Sequence, residues 1–282
     1  LIIMLYSRPD FFIYNTKYTR DCIISMNNNK LYLPESAMAI MAHPDDIELA
    51  CAGTLARWAQ SDARVCYVVC TSGDAGIASS GMTRKEAAAI REREQRDAAN
   101  IVGATDVVFL REPDGMLQPT MEVRKKIVRE IRSFRPEVII CGDPNIVWAG
   151  ESYINHPDHR AAAMAAVDAI FPAAGQPNMF EELSNENLTA FKPRKVYATG
   201  TTVDNKLILS IDDTIDIKIK AVLAHQSQFK GKNPSDSIRE RAAKLAEGHN
   251  MMYAESFRVT ILESDEIWDK YHGDAVDRHP GV

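Results

Sequence analysis

The chain has 282 residues, 45% hydrophobic and 26% charged, with a formal net charge of −6. That length suits one large domain or a domain with an appendage, and the composition is that of an ordinary globular chain. The acidic balance argues against a nucleic-acid footprint, and no apolar run approaches the roughly 18 residues of a membrane span.

Residues 1–35 mix apolar, aromatic and charged side chains without a period, and Arg8, Asp10, Lys17, Arg20 and Asp21 interrupt any leader-like apolar run. They read as an N-terminal extension, with 36–282 as a single domain. Ala37 to Ala42 reads as a short buried strand that stops at His43-Pro44, and Asp46 to Gln60 has helical spacing. Arg64 to Thr71 is a second buried strand, broken by Ser72-Gly73-Asp74-Ala75-Gly76. Thr83 to Ile101 is a helix, with Thr83 and Glu86 as a capping box and Gly103 as its stop. Val107 to Leu110 is a third strand, followed by the turn Glu112-Pro113-Asp114-Gly115. Glu122 to Phe134 is helical, and Val138 to Cys141 is a fourth strand.

Four alternations of strand and helix predict a parallel sheet covered on both faces. The turns at 43–46, 72–76, 112–115 and 142–159 all follow strands, so they gather on one edge, where open α/β sheets bind ligands. Pro157 suits the first turn of a helix through 161–170. Residues 172–193, with Phe171 before them, form a long excursion carrying Met179, Phe180, Leu183 and Phe191. It is expected to leave the sheet near the same edge, as a subunit contact or as a lid. Lys195 to Thr199, Leu207 to Ile211 and Phe257 to Leu262 read as late strands; Ile215 to His225 and Ile238 to Glu247 read as helices. The five cysteines contain no CxxC pair, and four lie in apolar stretches, as reduced thiols of a cytoplasmic protein would.

His43 and Asp46 stand three apart across the first turn; His156 and His159 stand three apart at a helix start. A catalytic zinc takes three protein ligands and leaves a place for water, a count that two histidines and a carboxylate meet. A spare carboxylate beside them is free to handle protons. Simpler readings compete. Asp45 and Asp46 also suit helix capping, which leaves His43 unexplained. Arg91 and Glu94, with Arg93 and Arg96 nearby, read from pattern alone as a solvated helix face. Cys66 and Cys70 read as buried thiols. A reading of another class is a Rossmann-like domain that binds a sugar without catalysis; the first turn lacks the G-x-G-x-x-G of a dinucleotide site.

The AHPDD turn at 42–46, the HPDH at 156–159 and the intervening IREREQ at 90–95 together resemble the PIG-L/LmbE family of zinc-dependent de-N-acetylases. Within it the chain is most similar to the diacetylchitobiose deacetylase branch, on TSGDAG at 71–76, the Asp-Pro at 143–144, KIKA at 218–221, HQSQF at 225–229 and YAESFR at 253–258. The resemblance implies a Rossmann-like α/β fold, a mostly parallel sheet with helices on both faces and a C-terminal α+β portion. It implies one Zn²⁺ per chain, held by His43, Asp46 and His159, with Asp45 as general base. His156 polarises the acyl oxygen, and Arg91 and Asp114 contact the sugar. The implied substrate is an N-acetylglucosamine-type amino sugar or its conjugate, and the implied assembly is a homo-oligomer, a hexamer, with no nucleic-acid or membrane partner. An amidase acting on a sugar or thiol conjugate is the nearest enzymatic alternative. Some members carry a tyrosine two residues before the first histidine of HPDH; here Ile154 stands there, and Tyr153 one step earlier.

Overall fold

A computed structural model describes residues 32–77, 81–149, 151, 153–201, 203, 204, 206–229 and 231–272. The expected extension lies outside those residues except for its last four. The strands are β1 (Ser36–Met41), β2 (Arg64–Thr71), β3 (Asp106–Glu112), β4 (Val138–Gly142), β5 (Trp148–Ala149), β6 (Tyr153–Ile154), β7 (Lys195–Thr199), β8 (Leu207–Ser210) and β9 (Ala254–Ile261). The helices are α1 (Asp46–Gln60), α2 (Arg84–Val102), α3 (Met121–Phe134), α4 (Pro157–Asp168), α5 (Ile215–Leu223), α6 (Gln226–Phe229), α7 (Ser235–Ala246) and α8 (Asp265–His272). Among the described residues no helix is long and apolar enough to cross a membrane.

β1, β2 and β4 are near-continuous apolar runs because both faces of the sheet are covered. The sheet order is β3-β2-β1-β4-β7-β9-β8. β3, β2, β1, β4 and β7 run parallel; β9 is antiparallel to both β7 and β8. The late strands were legible, but not that β9 inserts between β7 and β8. On one face Met38, Ile40, Val68 and Ile139 join a core with Ile127 and Ile131 of α3 and Ala162, Ala165 and Ala166 of α4. On the other, Trp58 of α1 meets the ring of Tyr197 edge-on at 5.7 Å. The Thr83–Glu86 capping box and the left-handed Gly103 bound α2 as expected.

The KIKA and YAESFR segments tie the C-terminal part to α1. Lys218 Nζ lies 2.6 Å from Glu255 Oε1, with both side chains buried. Glu255 accepts from the N–H groups of Gly53 and Thr54 at 3.0 and 2.8 Å, and Lys218 donates to the Leu49 carbonyl at 2.9 Å. A buried ion pair is tolerated when its remaining valences are filled in this way. Gly53 lets α1 come this close: a Cβ there would stand 2.7 Å from Ile211 Cγ2.

The excursion after α4 does not go where it was expected. Twelve helical residues carry the chain about 18 Å away from the edge where α4 begins, toward the opposite end of the strands. There Ala173, Ala174, Leu183 and Phe191 are buried in the same core as α3. Arg132 of α3, also buried, donates to the carbonyls of Ala173, Ala174, Gln176 and Met179 at 2.9–3.2 Å. An irregular segment has main-chain acceptors that no ladder fills, and one guanidinium fills four of them. The excursion is therefore no lid over the edge where α4 begins, and its apolar side chains are covered by its own chain, apart from the exposed Phe171.

Strand order reverses at β1: β2 and β3 follow on one side, β4 and β7 lie on the other. The carboxyl ends of β1 and β4 thus flank the crevice where such sheets bind ligands.

Candidate active site

The first half of the site is the turn from β1 into α1. Asp46 N–H donates to the His43 carbonyl at 3.3 Å, with Pro44 and Asp45 between them. Asp45 has φ 95° and ψ −24°. This is a type II arrangement, in which proline suits the first central position and glycine or asparagine the second. An aspartate there is strained, and strain of this kind collects at functional sites. The capping reading fails for Asp45, whose side chain makes no cap. Its carboxylate accepts instead from Arg91 Nη2 at 3.2 Å, and the same nitrogen donates to the Pro44 carbonyl. Asp46 Oδ2 accepts from the His43 N–H at 2.8 Å, which locks the turn from inside.

The second half follows β4. Fourteen residues, among them the hairpin β5–β6, separate that strand from α4. His156 is the N-cap of α4, its Nδ1 accepting from the Asp158 N–H at 3.2 Å, so in the neutral ring Nε2 carries the proton and is the donor. One turn on, His159 Nε2 stands 3.2 Å from His43 Nδ1 and 3.2 Å from Asp46 Oδ1, and His43 Nδ1 is 3.4 Å from Asp46 Oδ2. Two imidazoles and a carboxylate thus converge from two turns, the donor set of an open zinc-type site.

The electrostatics fit a cation. Burial alone would lower the His43 pKa; hydrogen bonds to Asp114 and Asp46 overturn it and raise it to about 10. Burial alone would raise Asp46, yet His159 and His43 hold it well below the ordinary carboxylate range. The cluster attracts positive charge strongly enough to override desolvation. Burial, then the neighbouring Asp46, pushes Asp45 up to about 7, with Arg91 pulling the other way. A carboxyl near neutrality suits proton transfer. Burial and the charge of His43 lower His156, which keeps it neutral.

Supporting groups orient the donors. His43 Nε2 lies 3.1 Å from Asp114 Oδ1 and 3.4 Å from Asp158 Oδ2. His159 Nδ1 meets Asn155 Oδ1 at 3.0 Å. Carboxylates and carbonyls in such places fix the tautomer and the ring plane of a ligating histidine. His43, His156 and Asp158 form a second possible cluster. Asp158, however, is committed to the N–H groups of Gly115 and Leu117 at 2.7 and 3.2 Å, so the cluster with Asp46 and His159 is the better fit.

The structure brings all seven expected residues to this edge. Arg91 and Glu94 are buried, which corrects the solvated-face reading: α2 turns its charged stripe toward the strand ends and toward α6, where Glu94 accepts from Ser227 N–H and Oγ–H at 2.8 and 2.6 Å. The Gly73–Gly76 turn lies over the Arg91 guanidinium, and a Cβ at Gly76 would stand 2.7 Å from its Nη1. Asp114 touches His43 as well as accepting from the Ala75 N–H at 2.7 Å. Asp158, Asn155, Gln95, Glu48 and His225 were not singled out as site residues; the first is the inner residue of HPDH, and its place between two histidines was the available signal.

Residues 38–170 match the PIG-L family, described as GlcNAc-PI de-N-acetylase. The chain is 31% identical over 197 residues to a diacetylchitobiose deacetylase of Thermococcus kodakarensis, covering 69% of this chain and 70% of that one. It is 27% identical over 203 residues to a probable N-acetyl-alpha-D-glucosaminyl L-malate deacetylase 2 of Bacillus anthracis, covering 69% and 82%. Its fold is similar to that of the N,N'-diacetylchitobiose deacetylase of Pyrococcus horikoshii, with a TM-score of 0.77, 24% identity, and 90% and 95% of the two chains covered. The family match begins in β1 and ends just past α4, so it spans both turns that carry the convergent donors, and the chain belongs to the PIG-L family of de-N-acetylases.

Proposed function

We propose that this protein is a metal-dependent hydrolase that removes the N-acetyl group from an N-acetylglucosamine-type amino sugar or its conjugate and releases acetate. The observation that carries this is the convergence of His43 Nδ1, Asp46 and His159 Nε2 within 3.2–3.4 Å, with a second carboxylate, Asp45, in the same turn but outside that cluster and held by Arg91. The relatives' deacetylase activities on such sugars point the same way.

His43, Asp46 and His159 hold one divalent ion, Zn²⁺ in our reading. Such an ion supplies Lewis acidity, acidifying a water and polarising the acyl oxygen. Asp45 takes the proton of the attacking water. His156 Nε2–H donates to the acyl oxygen as it gains negative charge. The C–N bond then breaks, and the amine leaves with the proton that Asp45 had gained. Arg91 contacts sugar hydroxyls through Nη1, since Nη2 is engaged by Asp45 and Pro44. Asp114 lines the sugar pocket while holding His43. Residues 36–282 act as one domain in this reading, cytoplasmic and homo-oligomeric. Cys51, Cys66, Cys70 and Cys141 are buried free thiols, and Trp148 and Ile154 expose apolar surface for a second copy to cover.

The test is acetate release from N-acetylglucosamine, diacetylchitobiose and N-acetylglucosamine conjugates, after chelation and again after Zn²⁺ is restored. Metal-dependent release from at least one is expected; none from any, with the metal bound, overturns the reading.

A further inference from the structure

Behind the first turn, three buried side chains from three separate segments form one line of hydrogen bonds. Gln95 Oε1 of α2 accepts from the Asp45 N–H at 3.0 Å. Gln95 Nε2 donates to Glu48 Oε1 of α1 at 2.8 Å. Glu48 Oε2 meets Nε2 of His225, in the link between α5 and α6, at 3.2 Å. All three residues are fully buried, at 0% exposure. The direction of the line is determined throughout. A carboxylate only accepts, so Glu48 requires a donor on each side; the amide of Gln95 must then turn its oxygen toward Asp45.

Packing alone gives no reason for this line. An amide, a carboxylate and an imidazole cost more to bury than apolar groups of the same size. His225 Nδ1 is buried with no hydrogen-bond partner among the described residues. What the line reaches is the main chain of Asp45, the one site residue in a left-handed conformation. The turn's own hydrogen bond uses the Asp46 N–H, so the Asp45 N–H has Gln95 as its acceptor. Arg91, one helical turn before Gln95, holds the Asp45 carboxylate. The same residue is thus gripped at its main chain and at its side chain from one stripe of α2.

We propose that Gln95, backed by Glu48 and His225, is a positioning residue that anchors Asp45 in its left-handed conformation, so that its carboxylate stands beside the metal ligands without joining them. This rests on the reading of Asp45 as base. The line also gives the HQSQF segment, remote in sequence, a part in chemistry performed at residue 45.

The experiment compares Gln95→Leu with the exchanged pair Gln95→Glu/Glu48→Gln, which rebuilds the line with donor and acceptor reversed. Gln95→Leu should lower kcat about 10–100-fold, the usual cost of a lost supporting partner. KM should stay within about twofold and metal at one ion per chain, because substrate contacts and ligands are untouched. The exchanged pair should recover most of the lost turnover. Loss of metal alongside turnover, or an exchanged pair no better than the worse single variant, overturns the proposal. If Gln95→Leu does not fold, Gln95→Asn withdraws the acceptor by one methylene under the same expectations. Hydrogen exchange at the Asp45 amide provides a readout free of activity. It should be protected in the wild type and in the exchanged pair, and exchange at least about fivefold faster in Gln95→Leu, as expected when a hydrogen bond worth about 1 kcal/mol is lost. Equal protection overturns the positioning role. A wild type that shows this protection but releases no acetate refutes the proposed reaction and leaves the anchoring intact.

Discussion

The two halves of the site are built on opposite plans. The turn after β1 spans two residues between its bonded ends and is fastened on every side: by its own hydrogen bond, by Arg91 and by Gln95. The segment after β4 takes fourteen residues to reach α4, and it exposes Trp148, Tyr153 and Ile154 on a two-stranded hairpin that touches the site through Asn155. Trp148 pairs with Ile154 across the hairpin, and Ala149 with Tyr153. The contrast teaches a division of labour. The tightly fastened half sets the atoms that the proposed mechanism uses for the chemistry, where small errors are costly. In the proposed mechanism the open half brings one metal ligand and an acyl-oxygen donor, and leaves its rim free to vary with the substrate.

The comparison breaks most completely at the atoms the two halves share. His159→Ala removes the one ligand proposed from the open half and should abolish both stoichiometric metal and acetate release, read by metal analysis beside the assay; full occupancy in that variant would falsify the ligand set. Next comes Asp45→Asn, which should keep the metal and lose about 10²–10⁴-fold in kcat. In the wild type, activity should fall as pH drops through the Asp45 ionisation. A cation on Asp46 pulls that carboxyl down, so the limb lies below about 7, and it should vanish from the profile of Asp45→Asn.

Asp158→Asn tests the joint between the halves. It weakens the hold on His43 Nε2 and on the Gly115 N–H, and metal affinity should drop about 10–100-fold, measured by titration with a competing chelator. Arg91→Ala should raise KM several-fold and also lower kcat, because Nη2 holds the Asp45 carboxylate. An unchanged KM would confine Arg91 to the rigid half. Trp148→Ala should change neither metal content nor kcat on N-acetylglucosamine by more than about twofold, since exposed side chains away from the reacting atoms cost little. A large loss there would show that the open half carries chemistry.

The buried parallel strands were legible because each is a short apolar run ended by a turn residue, and the two turns that converge stood out because histidine and aspartate crowd them. What pattern could not reach was pairing between distant segments. Arg91 and Glu94 read as solvated because helix periodicity does not reveal that Asp45 and Ser227 wait opposite them. The direction of the excursion depended on the length of α4, which carries the chain away from the site, and on Arg132, one buried cation among many ordinary arginines. The left-handed turn was hidden by Asp45 itself, since proline followed by glycine would have announced it. The antiparallel β9 followed a strand signal correctly placed in sequence but silent about its neighbours.

The conformation of Asp45 sets stability against activity. Folding places this carboxyl where its proton is held up to about 7, against an ordinary 3.8, so the folded chain binds that proton more tightly than the unfolded one. Between those two values the Asp45 contribution to stability therefore declines as pH rises, and at neutral pH the ionised carboxylate opposes folding. Its backbone adds to the opposition, because asparagine enters the left-handed region more readily than aspartate. In metal-free protein, Asp45→Asn should consequently raise Tm, and by more at pH 7 than at pH 4, so that the substitution expected to silence the enzyme also makes it the sturdier protein.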